Sequence, residues 1–415
     1  VTSPFFAQAR TFGALLTEGL YGLMATGVFV QVAGYFVLIR EKHLRTWLYV
    51  AVGIPVVLLL WQQARHLPWR GPLVQLAIWT PAYLGLTAVW AEGNGWMEVA
   101  EYLKTSAMVT VFIIGVILVQ ARYPRFQNHV LAIAAGLGAG HALLSLGFLV
   151  QEHGFDWPRL VPLGLLGHEI RGAMVYGAVA LIAFGLLLRT TGGARRVAYG
   201  LAGVAALTAM VATQSRGPLI ALVIGVTLLF LISRRWSPPG HGARLLWVAL
   251  GVALAVATVA SWDSLLSRGL SYRDDIWRAV LPEIEHSFWF GRGIGENSTI
   301  TITTGEVFVH AHNFILCTWR FAGVVGVALV LLQVTLALGT AWRRRQGWPD
   351  PLWGVLLAYG CLCLLTNGQY PLARPTQAWF VYWVPIAFLS AACTATLLQG
   401  YTRPADTSDR RATVS

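Results

Sequence analysis

The chain has 415 residues, of which 56% are hydrophobic and only 12% charged, and its mean hydropathy is +0.61. A soluble domain carries about twice that charged fraction, so the composition excludes a soluble globular protein and points to an all-α polytopic membrane protein. The formal net charge of +12 is scattered over many short segments, which reads as a topology signal and not as a nucleic-acid-binding surface.

Apolar runs near the ~20 residues that cross a bilayer as helix recur along the chain, and the alternating ~10-residue pattern of a membrane β-barrel is missing. Twelve spans are predicted, at 13–39, 46–62, 71–90, 103–120, 129–150, 172–188, 197–213, 217–233, 244–261, 313–340, 352–368 and 376–399. The first is too long for a cleavable signal peptide. The second is the least marked. The chain reads as a single transmembrane domain, 1–415, with no soluble domain before or after it. One long connection, 262–312, separates spans nine and ten. The tail after Thr402 is polar and expected to be disordered.

Lys and Arg in the short loops set the orientation. Arg65 and Arg70 follow span two, Arg122 and Arg125 span four, and Arg189, Arg195 and Arg196 span six. Arg234 and Arg235 follow span eight, Arg343, Arg344 and Arg345 span ten, and Arg403, Arg410 and Arg411 lie in the tail. These belong inside, with both termini. The segment Arg40-Glu-Lys-His-Leu-Arg45 disagrees, which leaves the first two spans open. The four cysteines, Cys317, Cys361, Cys363 and Cys393, all fall in apolar runs and read as small packing residues.

The outward loops carry the chemistry. They hold Leu166-Gly-His-Glu-Ile-Arg-Gly172, Thr213-Gln-Ser-Arg-Gly-Pro218, Tyr272-Arg-Asp-Asp-Ile-Trp-Arg278, Phe290-Gly-Arg-Gly-Ile-Gly295, His310-Ala-His-Asn313 and Arg374. Several arginines and a histidine on one face suit an anionic ligand. Arg216 opens span eight behind Ser215, a good N-cap. A cation there opposes the positive helix end. A bound phosphate would reverse that balance, while an arginine snorkelling to the interface accounts for it too. Arg273 and Trp277 share a helix face, as do Asp274 and Arg278; a solvated surface helix would show the same. His312 is either a polar residue at a helix entrance capped by Asn313, or a general base. His310, two residues away, is expected to point elsewhere.

No metal site is expected. His168-Glu169 begins a zincin-like pair, but position 172 is Gly, and there is no Asp-x-Asp. Glu283-x-Glu285 and Asp274-Asp275 read as solvated helix surface. The glycines at 291, 293 and 295 lack the strand–turn–helix setting of a dinucleotide site. Scarce intramembrane acids argue against an ion-coupled transporter.

The order of these features resembles the O-antigen ligase and polymerase superfamily: many spans, a large outer loop before the tenth, Ser215-Arg216-Gly217, Arg273 with Trp277, Gly-x-Gly-x-Gly at 291–295, and His312-Asn313 entering the next span. The motifs cover roughly residues 200–370, and the length is most similar to that of the lipopolysaccharide O-antigen ligases. The resemblance implies a GT-C type glycosyltransferase fold in the bacterial inner membrane, with 262–312 as a periplasmic loop and the active site facing the periplasm. It implies transfer of O-antigen from undecaprenyl pyrophosphate, with inversion, to a sugar hydroxyl of lipid A–core, without metal or other cofactor. His312, Arg216 and Arg273 would then be catalytic, His312 as base and the arginines on the leaving pyrophosphate. Arg171, Arg292, Arg374, Trp277, His310 and Asn313 would bind substrate. An O-antigen polymerase or a protein O-oligosaccharyltransferase would share the donor and the motifs. A lipid-linked glycan transporter would want polar residues inside the spans, and 244–261 and 313–340 show few.

Overall fold

A computed structural model of the chain describes residues 4–63, 71–154, 158–233, 272–295, 299–369 and 371–402. Most of this is helix. α1 (Pro4–Ala33) ends in a 3-10 turn. α2 (Glu41–Trp47) continues through a π turn (Leu48–Gly53) into α3 (Ile54–Gln63). Then follow α4 (Pro72–Leu86), α5 (Trp96–Arg122), α6 (Phe126–His153), α7 (Glu169–Arg189), α8 (Gly193–Ala212) and α9 (Arg216–Ser233). The long connection contains α10 (Arg273–His286) and a small antiparallel pair, β1 (Ile300–Thr301) with β2 (Val307–Phe308). α11 (Phe314–Arg343), α12 (Asp350–Asn367) and α13 (Val384–Thr402) complete the bundle.

Eight described helical segments are long and apolar enough to cross a membrane, including Glu41–Trp61, so the least marked of the predicted spans has the length and hydropathy of a crossing. α8, α12 and α13 occupy three more predicted spans but fall short in length or apolarity. The predicted span at 244–261, the start of the 262–312 connection and the tail beyond residue 402 lie outside the described residues. α7 is the central helix, buried at every residue from Gly172 to Leu187 by α6, α8, α9 and α12. Such small-residue stretches let helices approach closely where lipid supplies no hydrophobic drive.

α10 lies outside this bundle. Its apolar stripe of Ile276, Val280 and Ile284, four residues apart, meets Ile300, Ile302, Ala311 and Cys317 in a second, smaller core. Two devices fasten this unit to the membrane helices.

The first is a break in α11. Gly323 sits at φ 64°, ψ −172°, which removes the helical bonds from Val324 and Val325 to the carbonyls of Arg320 and Phe321. Residues Phe288–Gly293 insert and replace both. Val324 N–H donates to Phe288 O (2.9 Å) and Val325 N–H to Trp289 O (3.3 Å), while Arg292 N–H donates to Arg320 O (2.9 Å) and Gly293 N–H to Phe321 O (2.9 Å). Tyr83 Oη–H donates to the next carbonyl, Ala322 O, at 2.9 Å. The Gly-x-Gly cluster is therefore a backbone graft into a broken helix.

The second is an ion pair. Arg320, with 1% of its side chain exposed, donates from Nε to Glu283 Oε2 (2.8 Å) and from Nη2 to Glu283 Oε1 (3.1 Å) and Thr299 O (3.2 Å). Arg292 pairs with the same carboxylate. This corrects two sequence expectations. Glu283 is not mere solvated surface, and the predicted span 313–340 does hold buried polar residues, Arg320 and Gln333, each with partners.

A Cβ on residue 323 would lie 2.1 Å from Trp289 O. Gly323→Ala is expected to lose about 1–3 kcal/mol from backbone strain alone, plus the displaced seam. Gly339→Ala, where nothing lies within 4 Å, is expected to be neutral. Thermal unfolding of both variants in detergent checks this; equal midpoints would show the seam to be incidental.

Candidate active site

The elements meet at one end of the bundle. The N-termini of α7, α9 and α10, the turn before α11 and the C-terminus of α12 enclose a pocket of about 230 Å³. Arg159, Arg216, Arg273, His312, Thr366 and Asn367 line it. The helix N-termini turn their positive dipole ends to the pocket. With three guanidiniums they make a site for a polyanion.

Local sequence explains the geometry. Gly217 lies against Thr366, where a Cβ would come 2.2 Å from its Oγ1, so glycine lets α9 close on α12 at the pocket floor. Ser215 occupies the cap position, but its hydroxyl donates to Thr213 O (3.4 Å) and accepts from Arg159 (3.5 Å). Arg159 also donates from Nε to Thr213 O (3.1 Å) and faces Glu169 at 3.7 Å. His168 caps α7, its Nδ1 accepting from Ile170 N–H at 3.2 Å. Among the described residues three non-glycine residues have positive φ: Gln214 (52°), Tyr272 (60°) and His312 (50°). Gln214 and His312 line the pocket and Tyr272 precedes Arg273. Each costs roughly 1–3 kcal/mol, and such strain collects at functional sites.

His312 Nδ1 lies 3.1 Å from Asn367 Oδ1. With the carboxamide oxygen assigned to face the ring, Nδ1 carries the proton and Nε2 keeps its lone pair. Burial, and next the charge of Arg273, hold His312 below the ordinary imidazole range, against the Asn367 hydrogen bond. It is neutral at pH 7 and able to accept a proton. Burial, then the neighbouring charge of Arg216, also depress Arg273.

The structure brings His312, Arg216 and Arg273 together as the sequence suggested. His310 is a correction: the left-handed turn at His312 folds it back, so the two rings sit 4.1 Å apart, edge to face, with His312 N–H donating to His310 Nδ1 at 3.4 Å. Burial and then His312 push His310 down to about 4, and nearby Arg171 adds to this. Trp277 donates its indole N–H to Ala311 O (3.0 Å), tying α10 to the His312 turn. Asn313 caps α11, its Oδ1 accepting from Ile315 N–H (2.9 Å) and Leu316 N–H (3.2 Å). Arg292 and Arg374 are elsewhere. Arg292 lines a different cleft beside Glu283, and Arg374 pairs with Glu101 at 3.1 Å. Sequence reasoning missed Arg159, Gln214, Thr366 and Asn367. The polar run Thr366-Asn367-Gly368-Gln369 at the end of an apolar span was the available signal for two of them.

Residues 200–331 match the family model described as O-antigen ligase. The similarity to that family covers this segment of the chain. That segment includes Arg216, Arg273, His310 and His312, whereas Arg159 and Asn367 lie outside it. Over 352 residues the chain is 26% identical to a protein named O-antigen ligase from Pseudomonas aeruginosa, covering 83% of this chain and 84% of that one. It is also 26% identical, over 227 residues, to uncharacterised proteins of Mycobacterium bovis and Mycobacterium tuberculosis, covering 47% of this chain and 32% of each of theirs.

Because its side-chain oxygen is committed to two helix amides, Asn313 is expected to act on stability. Asn313→Ala should cost about 1 kcal/mol with pyrophosphate affinity unchanged, and Asn313→Asp should restore the cap. Thermal unfolding and inorganic pyrophosphate binding, measured side by side, separate this from a ligand contact.

Proposed function

We propose that this chain is a metal-independent, inverting glycosyltransferase that moves O-antigen from undecaprenyl pyrophosphate to a sugar hydroxyl of lipid A–core. It works at the periplasmic face of the bacterial inner membrane, in a twelve-span bundle of GT-C type with 262–312 as its outer loop. One observation carries the reading. A neutral imidazole, held by Asn367 with its Nε2 lone pair available, stands beside Arg216 and Arg273 in a pocket walled by helix N-termini. The similarity to the Pseudomonas O-antigen ligase over most of both chains favours ligation over the other transfers of the superfamily.

The reaction follows from that arrangement. The acceptor hydroxyl gives its proton to His312 Nε2 as its oxygen attacks the anomeric carbon. The bond from that carbon to the phosphate oxygen breaks on the opposite side, and its electron pair leaves with the lipid pyrophosphate. The departing charge meets Arg216, Arg273 and Arg159 through charge-assisted hydrogen bonds. The charge of Arg216 bears on Arg273, and a polyanion held by both would offset that repulsion. His310 stays neutral and packs the base in place.

The test is transfer by purified protein in EDTA-containing buffer, with lipid-linked glycan and core-lipid acceptor read on a gel; absence of any transfer would sink the reading. His312→Ala is expected to keep donor binding and lose ~10²–10⁴-fold in single-turnover rate. Arg216→Lys keeps the charge but not the planar fork, and one such contact is worth ~1.5–3 kcal/mol, roughly ten- to over a hundred-fold in rate.

Asn367 gives a separate pH prediction. Only neutral His312 can take a proton, so the rate should fall as pH drops through its pKa, below the ordinary imidazole value. Asn367→Asp places a carboxylate at Nδ1 and raises that pKa, moving the acid limb to higher pH. Asn367→Ala should lower kcat with little change in KM. An unmoved acid limb in Asn367→Asp would remove His312 from the role of base.

A further inference from the structure

The catalytic pocket, at about 230 Å³, is smaller than the ~300–1,000 Å³ of most ligand sites. It suits a pyrophosphate and the reacting edge of a sugar ring. The glycans attached to those groups must lie elsewhere on the same face. A second cleft, of about 710 Å³, opens at the far end of α10. Over the length of that helix, at 1.5 Å per residue, it lies roughly 15–20 Å from Arg273.

Its walls have the chemistry of sugar recognition. Trp90 donates its indole N–H to Gly291 O at 3.2 Å, which fixes the ring, yet the residue stays 39% exposed, so an apolar face remains to stack on the C–H face of a pyranose. Glu92 and His286 are exposed at the rim. The Glu283–Arg292 pair adds an acceptor and a donor side by side. The floor is the grafted segment hydrogen-bonded into α11, so the cleft is formed in advance and little ordering is left to a ligand. Glu283 is shared by Arg292 and the buried Arg320 and Glu92 stands at the rim, so the cleft offers no excess of positive charge to a phosphate or an anionic headgroup, and the charged groups among its walls disfavour an acyl chain.

We propose that this cleft is a saccharide subsite, holding hydroxyl-bearing sugars of the glycan on one of the two substrates. The inference rests on the glycosyl-transfer reading above, and α10 then joins the two sites, with Arg273 at one end and Glu283 at the other.

The experiment uses full-length protein and two delipidated probes, the donor polysaccharide and the acceptor core oligosaccharide, with binding read by saturation-transfer NMR. The variant is Glu92→Ala/His286→Ala, both exposed side chains whose loss should leave the fold intact, with Trp90→Phe as a second variant that keeps a stacking face. Wild type is expected to bind one probe, and the double variant to bind it at least tenfold more weakly. KM for the matching lipid-linked substrate should rise by a similar factor, and the probe affected identifies the source. Binding of neither probe by wild type, or equal binding by the double variant with both KM values within twofold, overturns the subsite. If wild type transfers glycan under those conditions, only the subsite falls. If it binds a probe but transfers nothing, the reaction reading falls instead.

Discussion

A helix interrupted inside a membrane leaves backbone groups that no water reaches, and each costs several kcal/mol until another group takes the place of the lost partner. In α11 the interruption at Gly323 opens two consecutive helical bonds, and Phe288–Gly293 answers both with four hydrogen bonds of its own. The rest of the outer architecture hangs on that repair. It brings the end of α10 against α11, where Glu283 meets Arg320. A buried guanidinium without its carboxylate would be strongly destabilising, by about 3–5 kcal/mol, so graft and ion pair each make the other necessary.

With its far end fixed in this way, α10 presents Arg273 to the pocket and Trp277 to Ala311. His312 is held from another side, by Asn367 at the end of α12. Arg216 stands on α9, packed against α12 through Gly217 and Thr366. The three groups proposed for catalysis thus come from separate elements, each anchored by its own contacts to a neighbouring helix or turn.

The helical class and the eight predicted spans that coincide with helices long and apolar enough to cross a membrane were legible because apolar length is a direct demand of the bilayer; three more predicted spans fall on described helices short of that measure. The trio Arg216, Arg273 and His312 was legible because charged and titratable residues at span entrances stand out against an apolar background. Other features were hidden by their dependence on tertiary contact. His310 was expected to point away because a two-residue offset does so in regular structure, and a left-handed residue at 312 undoes that rule. Arg320 was lost inside an apolar run, since its partner lies 37 residues earlier. Arg159 carries no local pattern and acquires meaning only beside Ser215, and the polar run that holds Asn367 does so only beside His312. The glycine cluster was read as part of a family signature, whereas its physical content is a backbone able to enter another helix.

The partners of the break share one further property. Tyr83, Phe288, Trp289, Arg292 and Gly293 all precede Gly323 in the chain. A protein made from its N-terminus has therefore already synthesised every group that closes the gap when Gly323 leaves the ribosome. Beyond Val324 and Val325 themselves nothing translated later takes part in those bonds, so the order of residues along the chain is also a workable order of assembly. The same interruption with its repair strand downstream would leave a half-finished helix waiting in the bilayer.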